Sequence, residues 1–215
     1  MQELDGLRWG PASKAAPKQL VVLCHGLGAD GHDLIDLGPA WSHALPDALF
    51  VSVHAPFRHD SGFGRQWFSV EDRSPHVLEA GVRRAAMFFN AFIDAELARR
   101  NLPAEAYALM GFSQGAMTIL FTGLRRRIAP RAILAFSGAL IEPEKLAAER
   151  ANAAPILLVH GKADDVVPAS RSHDAEQALK TAGVPVESVF IPGLGHGIDD
   201  TGLSTGALFL QRALG

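Results

Sequence analysis

The segment Gly111-Phe112-Ser113-Gln114-Gly115 places a serine between two glycines, in the pattern Gly-x-Ser-x-Gly. A serine hydroxyl can attack an acyl carbon, but it must stand clear of the surrounding structure to do so. A strand-like apolar run, residues 106–110, precedes the segment, and helix-like residues follow it. In such a sharp bend, side chains two positions either side of the serine would collide with the strand and the helix, so glycine is needed at both. Although the five residues alone could be an ordinary turn, this context predicts a nucleophile elbow with Ser113 at its tip.

Polar side chains that follow two later predicted strands could activate this serine. The hydroxyl needs a base to accept its proton, and the base needs a carboxylate to hold its tautomer. Asp164 and Asp165 come shortly after the strand-like run 156–159, and His196 comes shortly after the run 186–191. The chain order serine, acid, histidine, with each group past the C-terminal end of a strand, is typical of such a catalytic site.

The choice of the acid and the surroundings of the histidine need separate arguments. Taken singly, the aspartates are typical of a solvated turn and His196 of a polar loop, but the shared order and position favour catalysis. Asp165 lies nearer the next predicted helix and could serve as a turn residue, so Asp164 is favoured as the acid. Gly195 and Gly197 flank His196, and we expect them to let its ring approach the serine without crowding.

A glycine-rich turn, His25-Gly26-Leu27-Gly28, follows the first strand-like run. Residues 26–31 also match the dinucleotide-binding pattern G-x-G-x-x-G, but the acidic residue expected about 20 positions later is missing. We therefore reject a dinucleotide site and predict no cofactor. Hydrolases with this order of elements build half of an oxyanion hole at such a turn, and the predicted donors are the backbone N–H groups of Leu27 and Gln114.

Composition and charge argue against several other classes of function. The 215 residues carry a net charge of −3, so no basic excess favours nucleic acid as a partner. Nine histidines are scattered without metal-ligand spacing, which argues against a catalytic metal. The single cysteine, Cys24, rules out an internal disulfide. No secretory signal or apolar run of about 20 residues is visible, so we expect a cytoplasmic protein without stable membrane insertion.

Strand-like and helix-like runs alternate along the chain, without a repeat or a flexible linker. The predicted strands are residues 19–24, 49–53, 106–110, 131–136, 156–159 and 186–191, and the predicted helices are residues 34–43, 76–100, 114–126, 169–182 and 201–213. Several of the strands are apolar on both faces, which is typical of a sheet covered by helices on both sides. The alternation therefore predicts one α/β domain over residues 1–215, with a doubly wound, mostly parallel sheet.

Four segments of the chain, in this order, resemble the phospholipase/carboxylesterase family, an α/β-hydrolase group that includes the acyl-protein thioesterases. They are residues 23–31 (LCHGLGADG), 111–117 (GFSQGAM), 160–168 (HGKADDVVP) and 195–197 (GHG). The resemblance spans nearly the whole chain and implies the α/β-hydrolase fold. The site residues that it implies are the catalytic triad Ser113, Asp164 and His196 and the oxyanion donors Leu27 and Gln114.

The connection between residues 54 and 75 has no clear periodicity, and a long irregular connection in a compact domain is usually functional. The aromatic residues predicted there to bind the substrate's acyl chain include Phe63, Trp67 and Phe68. For each of them, packing in the core is an equal alternative. Arg58 and Arg65 could meet a polar head group or could simply be solvated.

The predicted activity is hydrolysis of carboxylic esters by Ser113 through an acyl-enzyme intermediate. The connection between residues 136 and 156 is too short for a large lid domain. An alternative enzyme is an acyl-protein thioesterase or a lysophospholipase that acts on long acyl chains. An alternative of another class is an α/β-hydrolase relic that binds a small ligand without turnover. The expected partner is a small-molecule ester or thioester. The sequence neither predicts nor excludes a homodimer.

Overall fold

The fold alternates strands and helices, as the sequence predicts. The computed structural model describes residues 3–215. The strands in this range are β1 (Gly6–Trp9), β2 (Gln19–Cys24), β3 (Ala48–Val53), β4 (Phe57–Arg58), β5 (Arg65–Gln66), β6 (Tyr107–Phe112), β7 (Ala132–Phe136), β8 (Ile156–Gly161) and β9 (Val186–Ile191). Seven of them form one sheet in the order β1-β3-β2-β6-β7-β8-β9, while β4 and β5 pair as a separate hairpin.

The sheet is parallel from β3 to β9, and only the edge strand β1 runs antiparallel. Residues in the central strands are buried on both faces, as a parallel sheet covered by helices requires. In β2, Leu20 and Val22 belong to one apolar core, whereas Val21 and Leu23 belong to the other. This alternation follows from the two-residue period of a strand.

Helices cover both faces of the sheet. They are α1 (Leu37–Trp41), α2 (Pro75–Arg99), α3 (Gln114–Arg125), α4 (Pro143–Glu149), α5 (Ser170–Thr181) and α6 (Asp200–Leu214). Apolar side chains of α2, α3, α4 and α5 share one core, while those of α1 and α6 share the other. The doubly wound arrangement predicted from the sequence is therefore confirmed.

Differences from the predicted elements are confined to short segments. The six predicted strands differ from the observed ones by no more than one or two residues at an end. Strand β1, the β4–β5 hairpin and α4 are missing from the prediction because each is too short to show a periodic pattern. The predicted helix 34–43 is regular only over Leu37–Trp41, since Gly38 and Pro39 are weak helix formers and the flanking residues form turns.

The carboxyl ends of the parallel strands meet at one edge of the sheet, where the loops of the predicted site begin. Cys24 of β2 lies opposite Gly111 of β6, and Gly161 of β8 lies opposite Ile191 of β9. The connection from β7 to β8 contains only the seven-residue α4, so it carries no large lid domain. None of the helices described over residues 3–215 is long and apolar enough to cross a membrane.

Candidate active site

Ser113 lies at the tip of the turn between β6 and α3. Its backbone angles, φ 54° and ψ −117°, belong to a region that L-residues rarely adopt. A Cβ on Gly115 would lie 2.0 Å from the carbonyl oxygen of Cys24, and a Cβ on Gly111 would lie 2.5 Å from the carbonyl carbon of Gly115. Glycine is therefore required at both positions, for the steric reason that the sequence predicts.

The side chains of Ser113, His196 and Asp164 form a continuous hydrogen-bonded chain. His196 Nε2 lies 3.0 Å from Ser113 Oγ, and His196 Nδ1 lies 2.7 Å from Asp164 Oδ2. Because a carboxylate only accepts, Nδ1 carries the proton of the neutral imidazole, and Nε2 is left to accept from the serine hydroxyl. The ring of Phe112 packs beside the imidazole, with 4.8 Å between the ring centroids.

The carboxylate of Asp164 is buried and accepts hydrogen bonds on both oxygens. In addition to the bond from His196, Oδ1 accepts from the backbone N–H groups of Val166 and Val167, at 2.9 Å each. Burial alone would raise the pKa of Asp164, but these three hydrogen bonds outweigh burial and lower the pKa below its usual value. Asp164 is therefore ionised at neutral pH. The alternative acid, Asp165, is exposed to solvent.

A second histidine, His160, is fully buried and also contacts Asp164. His160 Nε2 lies 3.1 Å from Asp164 Oδ2 and 2.8 Å from the carbonyl oxygen of Val167. Both of these oxygens are acceptors, so Nε2 carries the proton, and Nδ1 then accepts from the hydroxyl of Ser172 at 2.6 Å. The sequence did not predict this support for Asp164, because Ser172 lies on α5 and its link to His160 exists only in the folded chain.

The glycines beside His196 do not have the predicted role. A Cβ on Gly197 would meet nothing within 4 Å, and a Cβ on Gly195 would meet only one backbone oxygen, at 4.0 Å. The close approach occurs at Gly161 instead, where a Cβ would lie 2.2 Å from the carbonyl oxygen of Leu194. A glycine at the end of β8 thus lets the two loops of the site pack together.

The glycine-rich turn after β2 lies against the elbow. A Cβ on Gly26 would lie 3.4 Å from Ser113 Cβ, so the turn approaches the serine closely. The N–H group of Leu27 has no hydrogen-bond partner within residues 3–215. Gln114 is the first residue of α3, where helix geometry leaves the N–H group without an intrahelical acceptor. Both N–H groups therefore remain available as donors.

His25 holds this turn in place, although its role was not predicted. His25 Nδ1 donates to the carbonyl oxygen of Gly26 at 2.7 Å, and Nε2 accepts from the N–H group of Ala55 at 3.0 Å. The His25 carbonyl in turn accepts from the indole N–H group of Trp67 at 2.9 Å. Burial lowers the pKa of His25 to about 4, so the ring is neutral near pH 7 with its proton on Nδ1.

The aromatic side chains predicted to bind an acyl chain do not form one surface. Trp67 and Phe68 are 0% and 2% exposed, so the structure corrects their assignment to an accessible surface. Both are tied to the start of α3, because the Gln114 side chain accepts from the Trp67 N–H group at 2.9 Å and donates to the Phe68 carbonyl at 2.7 Å. Phe63, on the loop between β4 and β5, is 85% exposed and remains accessible to a ligand.

At this edge of the sheet, the Ser113 hydroxyl can transfer its proton to His196, and unpaired backbone N–H groups lie near it as hydrogen-bond donors. The serine can then attack an electrophilic carbon, and the N–H groups can stabilise the negative charge that the attack creates. Within residues 3–215, no three His, Cys, Asp or Glu side chains are grouped so that they could hold a metal ion.

Comparison with known proteins assigns this fold and site to a family. The model of the phospholipase/carboxylesterase family matches residues 11–214. The chain belongs to the phospholipase/carboxylesterase family. The protein is accordingly a carboxylic ester hydrolase, and the family resemblance seen in the sequence is confirmed.

The named relatives include both an esterase and an acyl-protein thioesterase. The chain is 31% identical over 183 residues to esterase YpfH of Escherichia coli (strain K12), which covers 85% of this chain and 78% of the relative. It is 30% identical over 194 residues to acyl-protein thioesterase 1 of Neurospora crassa, which covers 82% of this chain and 79% of the relative.

Solved structures show the same fold. The structure of esterase PE8 superposes with a TM-score of 0.93 at 41% identity and covers 99% of this chain and 100% of PE8. Arabidopsis thaliana SOBER1 superposes with a TM-score of 0.82 at 27% identity and covers 92% of this chain and 100% of SOBER1. The predicted α/β-hydrolase fold is therefore confirmed.

Proposed function

We propose that the protein is a serine carboxylesterase in which Ser113 is the nucleophile, His196 the general base and acid, and Asp164 the residue that orients the histidine. His196 Nε2 accepts the Ser113 proton as Oγ attacks the carbonyl carbon of the ester. The N–H groups of Leu27 and Gln114 donate to the carbonyl oxygen as it becomes negative. Each such donor typically contributes about 3–4 kcal/mol of transition-state stabilisation.

The proposed reaction proceeds through an acyl-enzyme. The tetrahedral intermediate collapses when His196 donates its proton to the leaving alcohol, and the acyl group stays on Ser113. A water molecule then attacks the acyl carbon while His196 accepts its proton, and the second collapse releases the acid and returns a proton to Ser113. Asp164 stabilises the imidazolium that forms in both halves of the reaction.

The observation that supports this proposal most strongly is the chain of hydrogen bonds from Ser113 through His196 to Asp164, at 3.0 and 2.7 Å. The strained backbone of Ser113 supports it independently, because such strain persists where surrounding structure maintains it and is concentrated at functional sites. A relic that only binds a ligand would need neither feature.

Thioesters are a second candidate class of substrate. The relatives named acyl-protein thioesterase 1 match most of this chain, at 30% and 26% identity. The proposed attack serves both classes, since the carbonyl carbon is the electrophile in each and only the leaving group differs. Esters and thioesters that carry the same acyl group therefore need to be compared directly.

The decisive experiment is the replacement of Ser113 by alanine. We expect kcat for p-nitrophenyl butyrate to fall by about 10⁴-fold or more, because the nucleophile and base act as a unit. The same assay with p-nitrophenyl esters and acyl-coenzyme A thioesters of increasing chain length measures the preference of the wild type. Ser204→Ala, at an exposed serine of α6, is the matched control and should keep wild-type activity.

Covalent labelling distinguishes the enzyme from a ligand-binding relic. A fluorophosphonate probe should label the wild type and leave Ser113→Ala unlabelled, because the probe reacts with an activated serine. Full ester hydrolysis by Ser113→Ala would end the proposal. A wild type that neither hydrolyses any substrate of the panel nor reacts with the probe would favour the relic.

A further inference from the structure

The β4–β5 hairpin holds two arginines in an unfavourable arrangement. Arg58 on β4 and Arg65 on β5 are directly opposite each other in the register of the hairpin. Like charges at opposite positions of an antiparallel pair repel each other and destabilise the pairing. Each strand is only two residues long, so the hairpin has few other backbone contacts to offset this repulsion.

Within residues 3–215, no acidic side chain forms a salt bridge with either arginine. Arg58 is exposed, and Arg65 is half-buried with its Nη1 donating to the carbonyl oxygen of Ala55 at 3.1 Å. The nearby carboxylate of Asp30 is bound instead by His32, which approaches it with its backbone N–H group at 2.8 Å and its Nδ1 at 3.0 Å. Both arginines therefore keep donors for another anion.

The second acid of this region is also occupied. Asp60, on the loop between the two strands, accepts from the side-chain amide of Gln66 at 2.7 Å and from the hydroxyl of Ser69 at 2.6 Å. These bonds lower the pKa of Asp60, with the bond from Ser69 contributing most. Asp60 thus fixes the loop of the hairpin and does not neutralise the positive charges of Arg58 and Arg65.

The two arginines line a depression of about 250 Å³ whose other walls are Asp30, Gly62 and Gly64. The two glycines contribute no side chains, so the depression is open to solvent. Both have positive φ angles, 87° at Gly62 and 72° at Gly64, which glycine adopts without strain. A Cβ on Gly62 would meet nothing within 4 Å, so this part of the loop leaves room for a ligand group.

This depression lies beside the proposed oxyanion turn. The N–H group of Gly28 donates to the carbonyl of Arg65 at 2.8 Å, and the N–H group of Arg65 donates to the carbonyl of Ala29 at 2.9 Å. A Cβ on Gly64 would lie 1.8 Å from the Gly28 carbonyl oxygen, so the hairpin is in close contact with the turn. Gly28 immediately follows Leu27, the proposed oxyanion donor, so the hairpin that carries the depression adjoins the proposed oxyanion turn.

We propose that this depression binds a carboxylate group carried by the substrate away from its scissile ester bond, and that Arg58 and Arg65 make the enzyme selective for such anionic esters. The inference rests on the proposed function and names its class of substrate. A guanidinium group presents paired N–H donors that match a carboxylate, and the bound anion relieves the repulsion between the arginines. With Asp30 in the wall, the depression has a net charge of one positive unit, which suits a monoanion better than a doubly charged phosphate.

Two matched pairs of substrates test the proposal. On the acyl side, p-nitrophenyl hydrogen glutarate is compared with p-nitrophenyl pentanoate, from which it differs by a carboxylate in place of the terminal methyl group. On the leaving-group side, 4-carboxyphenyl butyrate is compared with 4-carbamoylphenyl butyrate. The measured quantity is the ratio of kcat/KM for the charged ester to kcat/KM for its neutral partner.

Substitution of the exposed Arg58 is expected to lower this ratio in at least one pair. Arg58→Ala should lower it by about tenfold, Arg58→Glu should lower it further, and Arg58→Lys should retain part of it, since a lysine keeps the charge but not the paired donors. Raising the NaCl concentration should lower the ratio of the wild type and not that of Arg58→Glu. Arg212→Ala is the control, because Arg212 is an exposed arginine of α6 paired with Glu187, and it should leave both ratios unchanged.

The proposal is overturned if both ratios in Arg58→Ala and Arg58→Glu equal those of the wild type while the neutral esters are hydrolysed. A wild type that hydrolyses no ester at all would instead be a failure of the proposed function. In that case the binding of free pentanoate, a monoanion at neutral pH, is measured by calorimetric titration and tests the depression directly. Binding that is about tenfold weaker in Arg58→Glu supports the site, and equal binding to both proteins rules it out.

Discussion

At the scale of single residues, the site depends on which nitrogen of each histidine carries the proton. His196 has its proton on Nδ1 toward Asp164, which leaves Nε2 free to accept from Ser113. His25 also has its proton on Nδ1, and its Nε2 accepts the N–H group of Ala55. A second proton on His25 would turn that acceptor into a donor and break the bond that holds the glycine-rich turn after β2.

The free energy of unfolding should therefore fall as the pH drops from about 6.5 toward 4. In this window the unfolded chain protonates His25 at its ordinary pKa, while folded His25, with a pKa of about 4, stays neutral. Since the unfolded state binds more protons, stability rises with pH across the window. His25 alone should account for a loss of about 2.5 kcal/mol between pH 7 and pH 4.5.

Urea unfolding at pH 7, 5.5 and 4.5 measures this dependence. Other groups also titrate in this range, so the informative quantity is the difference between the wild type and His25→Gln. The variant should be less stable at pH 7 and should lose less stability on acidification. Parallel curves for the two proteins would contradict the assignment of the effect to His25.

At the scale of elements, the elbow that follows β6 is held by backbone contacts with β2, β7 and α3. The N–H group of Ser113 donates to the carbonyl of Phe136 at 2.8 Å, and the Ser113 carbonyl accepts from the N–H group of Met117 at 3.1 Å. Gly115 lets α3 begin directly against the end of β2. The position of the serine thus results from the way three elements pack, and not from the turn alone.

Gly115→Ala is expected to disturb this packing, because its Cβ would overlap the carbonyl oxygen of Cys24 at 2.0 Å. Overpacking of this kind typically costs about 1–3 kcal/mol of stability, and the shift of the elbow should lower kcat by about 100-fold or more. Gly197→Ala is the matched control, since its Cβ would meet nothing within 4 Å. Ester hydrolysis and thermal unfolding of both variants test the prediction, and a fully active, stable Gly115→Ala would refute it.

At the scale of the whole molecule, one sheet separates two apolar cores. Trp67 lies in the core beneath α2 and α3, and Trp41 lies in the core beneath α1 and α6. The two cores lie on opposite faces of the same strands. Loss of packing in one core would therefore expose the sheet that also supports the other. We propose on this basis that the described residues, 3–215, form a single domain.

A single domain of this kind should unfold in one cooperative transition. Fluorescence of Trp41 and of Trp67, each followed in a variant in which the other two tryptophans, Trp9 among them, are phenylalanine, should give the same urea midpoint as far-ultraviolet circular dichroism recorded on that variant. Each variant is compared only with its own circular dichroism because the substitution itself changes stability. Separate midpoints within one variant would mean that the two faces unfold independently.

The predictions that the sequence supported best were those with a local signal. The strand 186–191 appears as predicted because it is rich in β-branched and aromatic residues and is bounded by Pro185 and by Pro192 and Gly193. Gly111 and Gly115 were predictable from their fixed spacing around Ser113, although only the conflict at Gly111 is with a near neighbour in the chain, since a Cβ on Gly115 would meet Cys24 of β2. Edge strand β1 and helix α4 escaped prediction because short elements acquire their structure from the partners on which they pack.

The residues that support the site were not predictable in the same way. His25, His160 and Ser172 form bonds that join segments separated in the chain, and nothing in their local spacing indicates a partner. Trp67 and Phe68 were assigned to a surface because an irregular, aromatic-rich segment is compatible with both burial and exposure. Their burial follows from the hydrogen bonds to Gln114, which bring the segment onto α3.

By itself, the sequence determined the alternation of strands and helices, the family, and the three side chains expected to act together, because periodicity and motif spacing are properties of neighbouring residues. The tertiary structure alone decided that His196 lies between Ser113 and Asp164, that Gly161 rather than Gly195 or Gly197 lets the loops meet, and that Arg58 and Arg65 oppose each other beside the glycine-rich turn after β2. These are distances between residues remote in the chain, and they arise only when the sheet is assembled and its loops are packed.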